Sequence, residues 1–135
     1  MTTSSRSLEQ ERAAHALRKI KELQGSGDAG YYVSYVSALP ATIVMNGLGQ
    51  ALVMLLAKDK GKKSTEHYSL YEHLASWLSQ KVGGLKANAS DEVIDKLMAG
   101  DQDLYVRSQS EAMAYLHWLK QFARAYLKEK EGQGD

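Results

Sequence analysis

The chain has 135 residues, 44% of them hydrophobic and 24% charged, which suits one globular domain with one continuous core over residues 1–135. It contains no cysteine, so disulfides, thiolate nucleophiles and Cys-ligated zinc are excluded. Its formal net charge of +1 gives no global attraction to nucleic acid, and any such contact must come from local patches or from several copies together. The opening residues, MTTSSRSLEQER, carry no apolar signal segment, and together with the missing cysteines they predict a cytoplasmic protein.

No run of alternating β-branched residues appears, and apolar residues recur at three and four, so the predicted class is all-α, a bundle of about five to six helices. The first helix spans about Leu8 to Gln24. Ser7 and Gln10 form a Ser-x-x-Gln capping box, and Ala13, Ala16, Leu17, Ile20 and Leu23 share one face. The segment GSGDAG, residues 25–30, ends it. A second helix is expected over Ala29 to Ala38, with a kink or break at Pro40 and a third helix from there to about Lys58.

The span Ala29 to Ala57 holds 29 residues without a charge. That length would cross a bilayer. However, Thr42, Asn46 and Gln50 recur at i, i+4 and i+8 as a polar stripe, Pro40, Gly47 and Gly49 interrupt the run, and the purely apolar part is short. A packed helix with one face outside the core is the better reading. Gly47 and Gly49 each cost about 1 kcal/mol in a helix interior relative to Ala. Close packing against another helix would offset that, as would close approach of a partner to the Thr42–Asn46–Gln50 stripe.

A lysine loop, KDKGKKST, follows. The fourth helix covers about Thr65 to Val82, with Leu70, Tyr71, Leu74, Trp77 and Leu78 inward. Ser90 is expected to cap a short helix that buries Val93, Ile94, Leu97 and Met98 and ends at Ala99; Asp101 caps the next. Asp91, Glu92 and Asp95 compensate the helix dipole of that short helix. The last helix runs from about Gln102 to Lys128, with a seam of Tyr105, Ser108, Ala112, Tyr115, Leu119, Phe122 and Tyr126 long enough to hold the other helices. Ordered structure is expected over about residues 8–128, with frayed ends.

No metal site is predicted: His67 and His73 are six apart on different helix faces, no His-x-x-x-His or Glu-x-x-His pair exists, and His117 beside Trp118 reads as a packing or rim residue. No nucleophile elbow occurs, and NGLGQA lacks the strand, lysine and hydroxyl of a phosphate loop. No enzyme, cofactor or small-molecule substrate is therefore expected. The cations form three groups: Lys58, Lys60, Lys62 and Lys63 in the loop; Lys120 and Arg124, with Lys128 beyond them, on the last helix; Arg18 and Lys21 on the first. Each is an ordinary solvated face unless two converge, in which case they would contact RNA backbone without reading sequence.

The segments RAAHALRKI, YVSYVSALPATIVMNGLGQALVMLL, YEHLASWL and AGDQDLYVRSQSEAMAYLHWLKQFA together resemble the small subunit of the type III-B CRISPR effector, the Cmr complex. The resemblance covers about Leu8 to Lys128 and is strongest at Leu-Pro, Asn-Gly-Leu-Gly and Leu-His-Trp-Leu-Lys. It implies an all-helical, non-catalytic structural subunit in antiviral defence. Such a subunit stacks with copies of itself along the inner face of the complex and contacts guide and target RNA beside the other Cmr subunits. Asn46, Gly47 and Gly49 are then a structural signature. Two other readings stand beside it. A helical protein–protein adaptor would use the Thr42–Asn46–Gln50 stripe and exposed aromatics such as Tyr31 or Tyr32. An autonomous DNA binder would need a helix-turn-helix that the sequence does not show.

Overall fold

The structure is a computed structural model and describes residues 6–26 and 29–128. Among these there are six helices and no strand: α1 Leu8–Ser26, α2 Tyr32–Asn46, α3 Leu48–Asp59, α4 Glu66–Lys81, α5 Asp91–Ala99 and α6 Gln102–Tyr126. The first residues, the middle of GSGDAG and the EKEGQGD tail lie wholly or partly outside the described residues.

Helix α6 is the longest element and touches every other helix, as its unbroken seam requires. Ser108, Ala112, Tyr115 and Leu119 of that seam are buried, Tyr105 and Phe122 are half-buried, and Tyr126 is exposed at the helix end. Asp101 caps α6 by accepting from the Leu104 amide at 2.9 Å. The Ser7–Gln10 box at the head of α1 is reciprocal, with distances of 2.9 and 3.1 Å. Thr65 caps α4 by accepting from the Tyr68 amide at 3.3 Å. All five residues expected inward on α4 are buried.

The break in the uncharged span is not at Pro40. Helix α2 runs through Pro40 to Asn46, and the chain turns at Gly47, with φ 88° and ψ 158°. The missing proline donor costs helix stability locally. Tyr32, Val36, Leu39 and Ile43 continue across it at helical spacing on one buried face, and their burial keeps the helix going. Gly47 adopts a backbone region open in practice only to glycine, so it ends α2 and starts α3.

Three smaller expectations also change. Ser90 precedes α5 but makes no side-chain cap, because its own backbone is already helical. Met98 is exposed and Ile94 only half-buried, since α5 is short and buries one narrow face through Val93 and Leu97. Tyr32 is fully buried rather than an exposed interface aromatic, and Tyr31 is half-buried.

Candidate functional site

Four polar arrangements bear on the candidate residues. The first is the α2–α3 elbow. Two amides at the head of α3 are satisfied by α6: Leu48 N–H donates to Gln109 Oε1 at 2.9 Å, and Gly49 N–H donates to the Tyr105 hydroxyl at 2.7 Å. A Cβ on Gly49 would stand 2.7 Å from Met98 Cε and 3.2 Å from the Tyr105 hydroxyl. The close packing expected of Gly49 is therefore present. The role of Gly47 is the turn, not a thinned helix interior.

Because of that turn, Thr42, Asn46 and Gln50 do not lie on one continuous helix. Thr42 and Asn46 belong to α2 and Gln50 to α3. Asn46 and Gln50 are both exposed and Thr42 half-buried. Asn46 Nδ2 reaches Met54 Sδ at 4.0 Å, a weak contact that links the two helices across the elbow.

The second arrangement is the lysine loop, organised from inside by Asp59. Asp59 is buried and accepts from Lys63 N at 2.6 Å, Thr65 N at 3.2 Å and Thr65 Oγ1 at 2.7 Å. Burial alone would raise its carboxyl pKa, but these hydrogen bonds outweigh it and hold the group below its ordinary value. Lys60 and Lys63 both sit at φ 56°. Lys63 Nζ is paired with Asp91 at 2.9 Å, which anchors the loop to α5 and raises the Lys63 pKa. Lys58, Lys60 and Lys62 are exposed.

The third is the joint of α1, α4 and α6. Arg12 grips Glu111 with two bonds, Nε to Oε2 at 2.6 Å and Nη2 to Oε1 at 2.8 Å, while Trp77 Nε1 donates to Glu111 Oε2 at 2.8 Å. Glu9 bridges Arg12 and Trp118 at 3.0 and 3.1 Å. Burial raises the Glu111 carboxyl, and the bonds from Arg12 and Trp77 more than reverse it. Lys81 pairs with Glu11 beside it.

Inside that joint lie two buried histidines. His15 Nδ1 is 2.6 Å from the Tyr115 hydroxyl, and its Nε2 is 3.3 Å from Ser76 Oγ. His73 Nδ1 is 2.7 Å from the Tyr32 hydroxyl. Burial raises both phenol pKa values well above normal, so each phenol keeps its proton and donates to the imidazole. Burial, aided by neighbouring Lys19, pushes His73 down to about 3; burial, then Arg18 and Lys19, pushes His15 down to about 4. Both rings are neutral packing groups at neutral pH. His67 is also buried and stacks on Tyr35 with centroids 3.8 Å apart. His117 is exposed, edge-on to Trp118.

The fourth arrangement is the cation distribution on α1 and α6. The two helices run side by side in the same sense: Arg12 meets Glu111, His15 meets Tyr115, and Gln24 Nε2 donates to the Tyr126 carbonyl at 3.1 Å. Their carboxyl halves therefore bring Arg18 and Lys21 to the same end as Lys120 and Arg124. They do not make one face. Lys21 lies on the α1–α6 seam, its Nζ 4.3 Å from the Tyr126 ring centroid. Lys120 and Arg124 flank Phe122 by two residues and point roughly 160° away from it around the helix. The lysine loop belongs elsewhere, between α3 and α4. The sequence groups thus remain separate surfaces, with Arg18, Lys21 and Arg124 exposed and Lys120 half-buried.

Sequence reasoning missed the Arg12–Glu111–Trp77 joint, the inward histidines and the Asp59 hub. A signal was present for the first: Arg12, Ala16, Lys19 and Leu23 recur at the spacing of a packed stripe, so two cations had to lie beside the core. No helix among the described residues is long and apolar enough to cross a membrane, and those residues hold no group of three or more His, Asp or Glu fit for a metal ion.

Residues 8–126 match the sequence model of the family described as CRISPR-associated protein (Cas_Cmr5). The fold also matches the crystal structure of a CRISPR-associated Cmr5 family protein from Thermus thermophilus, with a TM-score of 0.75 and 24% identity, over 92% of this chain and 100% of that one.

Proposed function

Because the chain belongs to the CRISPR-associated Cmr5 family, the small subunit of the type III-B effector complex, we propose that it works as a non-catalytic structural subunit that stacks with further copies of itself and touches the backbone of the guide–target RNA duplex. The observation that carries RNA contact is the outer face of α6. From Ala112 to its end at Tyr126, α6 has Lys120 and Arg124 one turn apart and no carboxylate; the chain leaves the helix at an extended Leu127, so Lys128, expected on the same helix row, lies just past the helix end and adds charge there. A pair at that spacing presents positive charge along one side of a helix, which suits phosphates and reads no bases. Arg18 and Lys21 add charge at the same end of the molecule. With a net charge of +1, one copy holds RNA weakly, and several copies in a row add their contacts through multivalency.

The test is charge reversal in the reconstituted effector. Arg124→Glu with Lys128→Glu should weaken target-RNA retention and lower the salt slope of binding by roughly 1 to 2 for two lost phosphate contacts. Arg18→Glu with Lys21→Glu should act in the same direction. Retention and slope equal to wild type for both pairs, with assembly intact, would refute RNA contact and leave a protein–protein adaptor.

A further inference from the structure

We propose that the outer face of α3, with the groove between α2 and α3, seats an amphipathic helix from another protein subunit of the effector. The seated helix would carry aliphatic anchors at helical spacing and a carboxylate at one end. The inference rests on the reading of this chain as an effector subunit and adds which surface meets protein and what chemistry that protein presents.

Three observations lead there. Gln50, Val53, Met54 and Ala57 recur at i, i+3, i+4 and i+7 on α3, and all four are exposed. That is the spacing of a helix contact face, yet it points away from the core. It carries no charge and lies in the 29-residue uncharged span. It is also bordered by an aliphatic group, Met98, whose Cε lies 2.7 Å from where a Cβ on Gly49 would stand. Val53, Met54 and Met98 are 42–53% exposed, three of the eight exposed large hydrophobic residues among the described residues. Such clustering marks a contact site more than isolated exposed residues do.

Next to this face is a groove of about 230 Å³, lined by Tyr35, Leu39, Thr42, Met54, Leu55 and His67 among others, mostly apolar. Met54 borders both groove and face. The groove can take one anchoring side chain while the partner helix lies along α3. The methionines suit this role because their thioether side chains adapt to an incoming surface.

Charge selects the occupant. A nucleic-acid backbone needs cations along its path; the Gln50–Val53–Met54–Ala57 face has none, and Lys58, the one cation lining the groove, stands at its carboxyl end. At its carboxyl end α3 runs into exposed Lys60 and Lys62, so a partner helix with a carboxylate at that end gains an ion pair there. A second copy does not supply such a helix: met by its own like face it sets groove against groove, and met by another face it offers no aliphatic row, because the exposed large hydrophobics of α1 and α6 among the described residues, Leu8, Val106 and Tyr126, stand apart from one another.

A photo-crosslinking residue at Gln50 tests the assignment in the effector reconstituted from its other protein subunits and guide RNA. The expected product joins this chain to an aliphatic helical segment of another subunit, with an Asp or Glu within about two turns of the crosslink. In parallel, Val53→Glu with Met54→Glu should lower incorporation at least tenfold while helicity and melting stay near wild type. Lys60→Glu with Lys62→Glu should lower it less, and only at low salt. Crosslinks to a second copy or to RNA, or none from a chain that has been incorporated, would overturn the inference and leave the subunit reading intact. Failure of the wild-type chain to enter the complex would overturn both.

Discussion

Lowering the pH should destabilise this fold well before its carboxylates titrate. His15 and His73 are buried, neutral and hydrogen-bonded to phenols, with pKa values near 4 and 3. In the unfolded chain both return to about 6.5. Above that value neither state binds a proton and the effect vanishes. Below it the unfolded chain takes protons that the folded chain refuses, so stability falls as the pH falls, down to the folded values. Each histidine costs about 1.4 kcal/mol per pH unit in that window. From pH 6.5 to 4.5 the pair removes ~3–5 kcal/mol, the lower figure allowing for partial hydration of His15 beside Ser76. That is a large share of a typical 5–15 kcal/mol. Urea unfolding followed by circular dichroism at pH 7.5, 6.5, 5.5 and 4.5 measures it. The midpoint should be steady from 7.5 to 6.5 and drop steeply below. His73→Gln, which keeps an acceptor for Tyr32, should remove about half of the drop. A midpoint flat to pH 4.5, or an equal drop in His73→Gln, would refute the reasoning.

Gly47→Ala should lower stability by about 1–3 kcal/mol, because its backbone region excludes a Cβ and that Cβ would meet the Tyr105 hydroxyl at 2.8 Å; chemical denaturation checks it. Glu111→Ala should cost ~3 kcal/mol by taking the acceptor from Trp77 Nε1 and leaving Arg12, half-buried, with Glu9 as its one carboxylate. A double-mutant cycle with Arg12→Ala should return a coupling of about 1–3 kcal/mol. Asp59→Ala should cost about 2 kcal/mol and loosen the lysine loop, read as faster tryptic cleavage at Lys60 to Lys63.

The helices were legible because their cause is local. Spacing of apolar residues, the Ser7–Gln10 box and the Asp101 cap each act within a few residues, so they can be read along the chain. The uncharged span shows where that reading ends. Pro40 is the stronger local breaker, yet α2 passes it, because the buried face of Val36, Leu39 and Ile43 lies on both sides and its gain depends on helices far away in sequence. Gly47 becomes the turn because Tyr105 and Gln109, some sixty residues on, satisfy the amides that the turn leaves open. A polar stripe drawn at i, i+4 and i+8 assumed one helix and so was divided between two.

The same division applies to the candidate surfaces. The sequence by itself determined that cations come in three groups and that one long span carries none, since charge is a property of residue type. Only the tertiary structure decided that Lys63 is tied to Asp91, that Arg12 and His15 face inward, and that Lys21 and Arg124 share an end but not a face. Side-chain direction depends on what each helix packs against, and those contacts join α1, α4 and α6 across most of the chain.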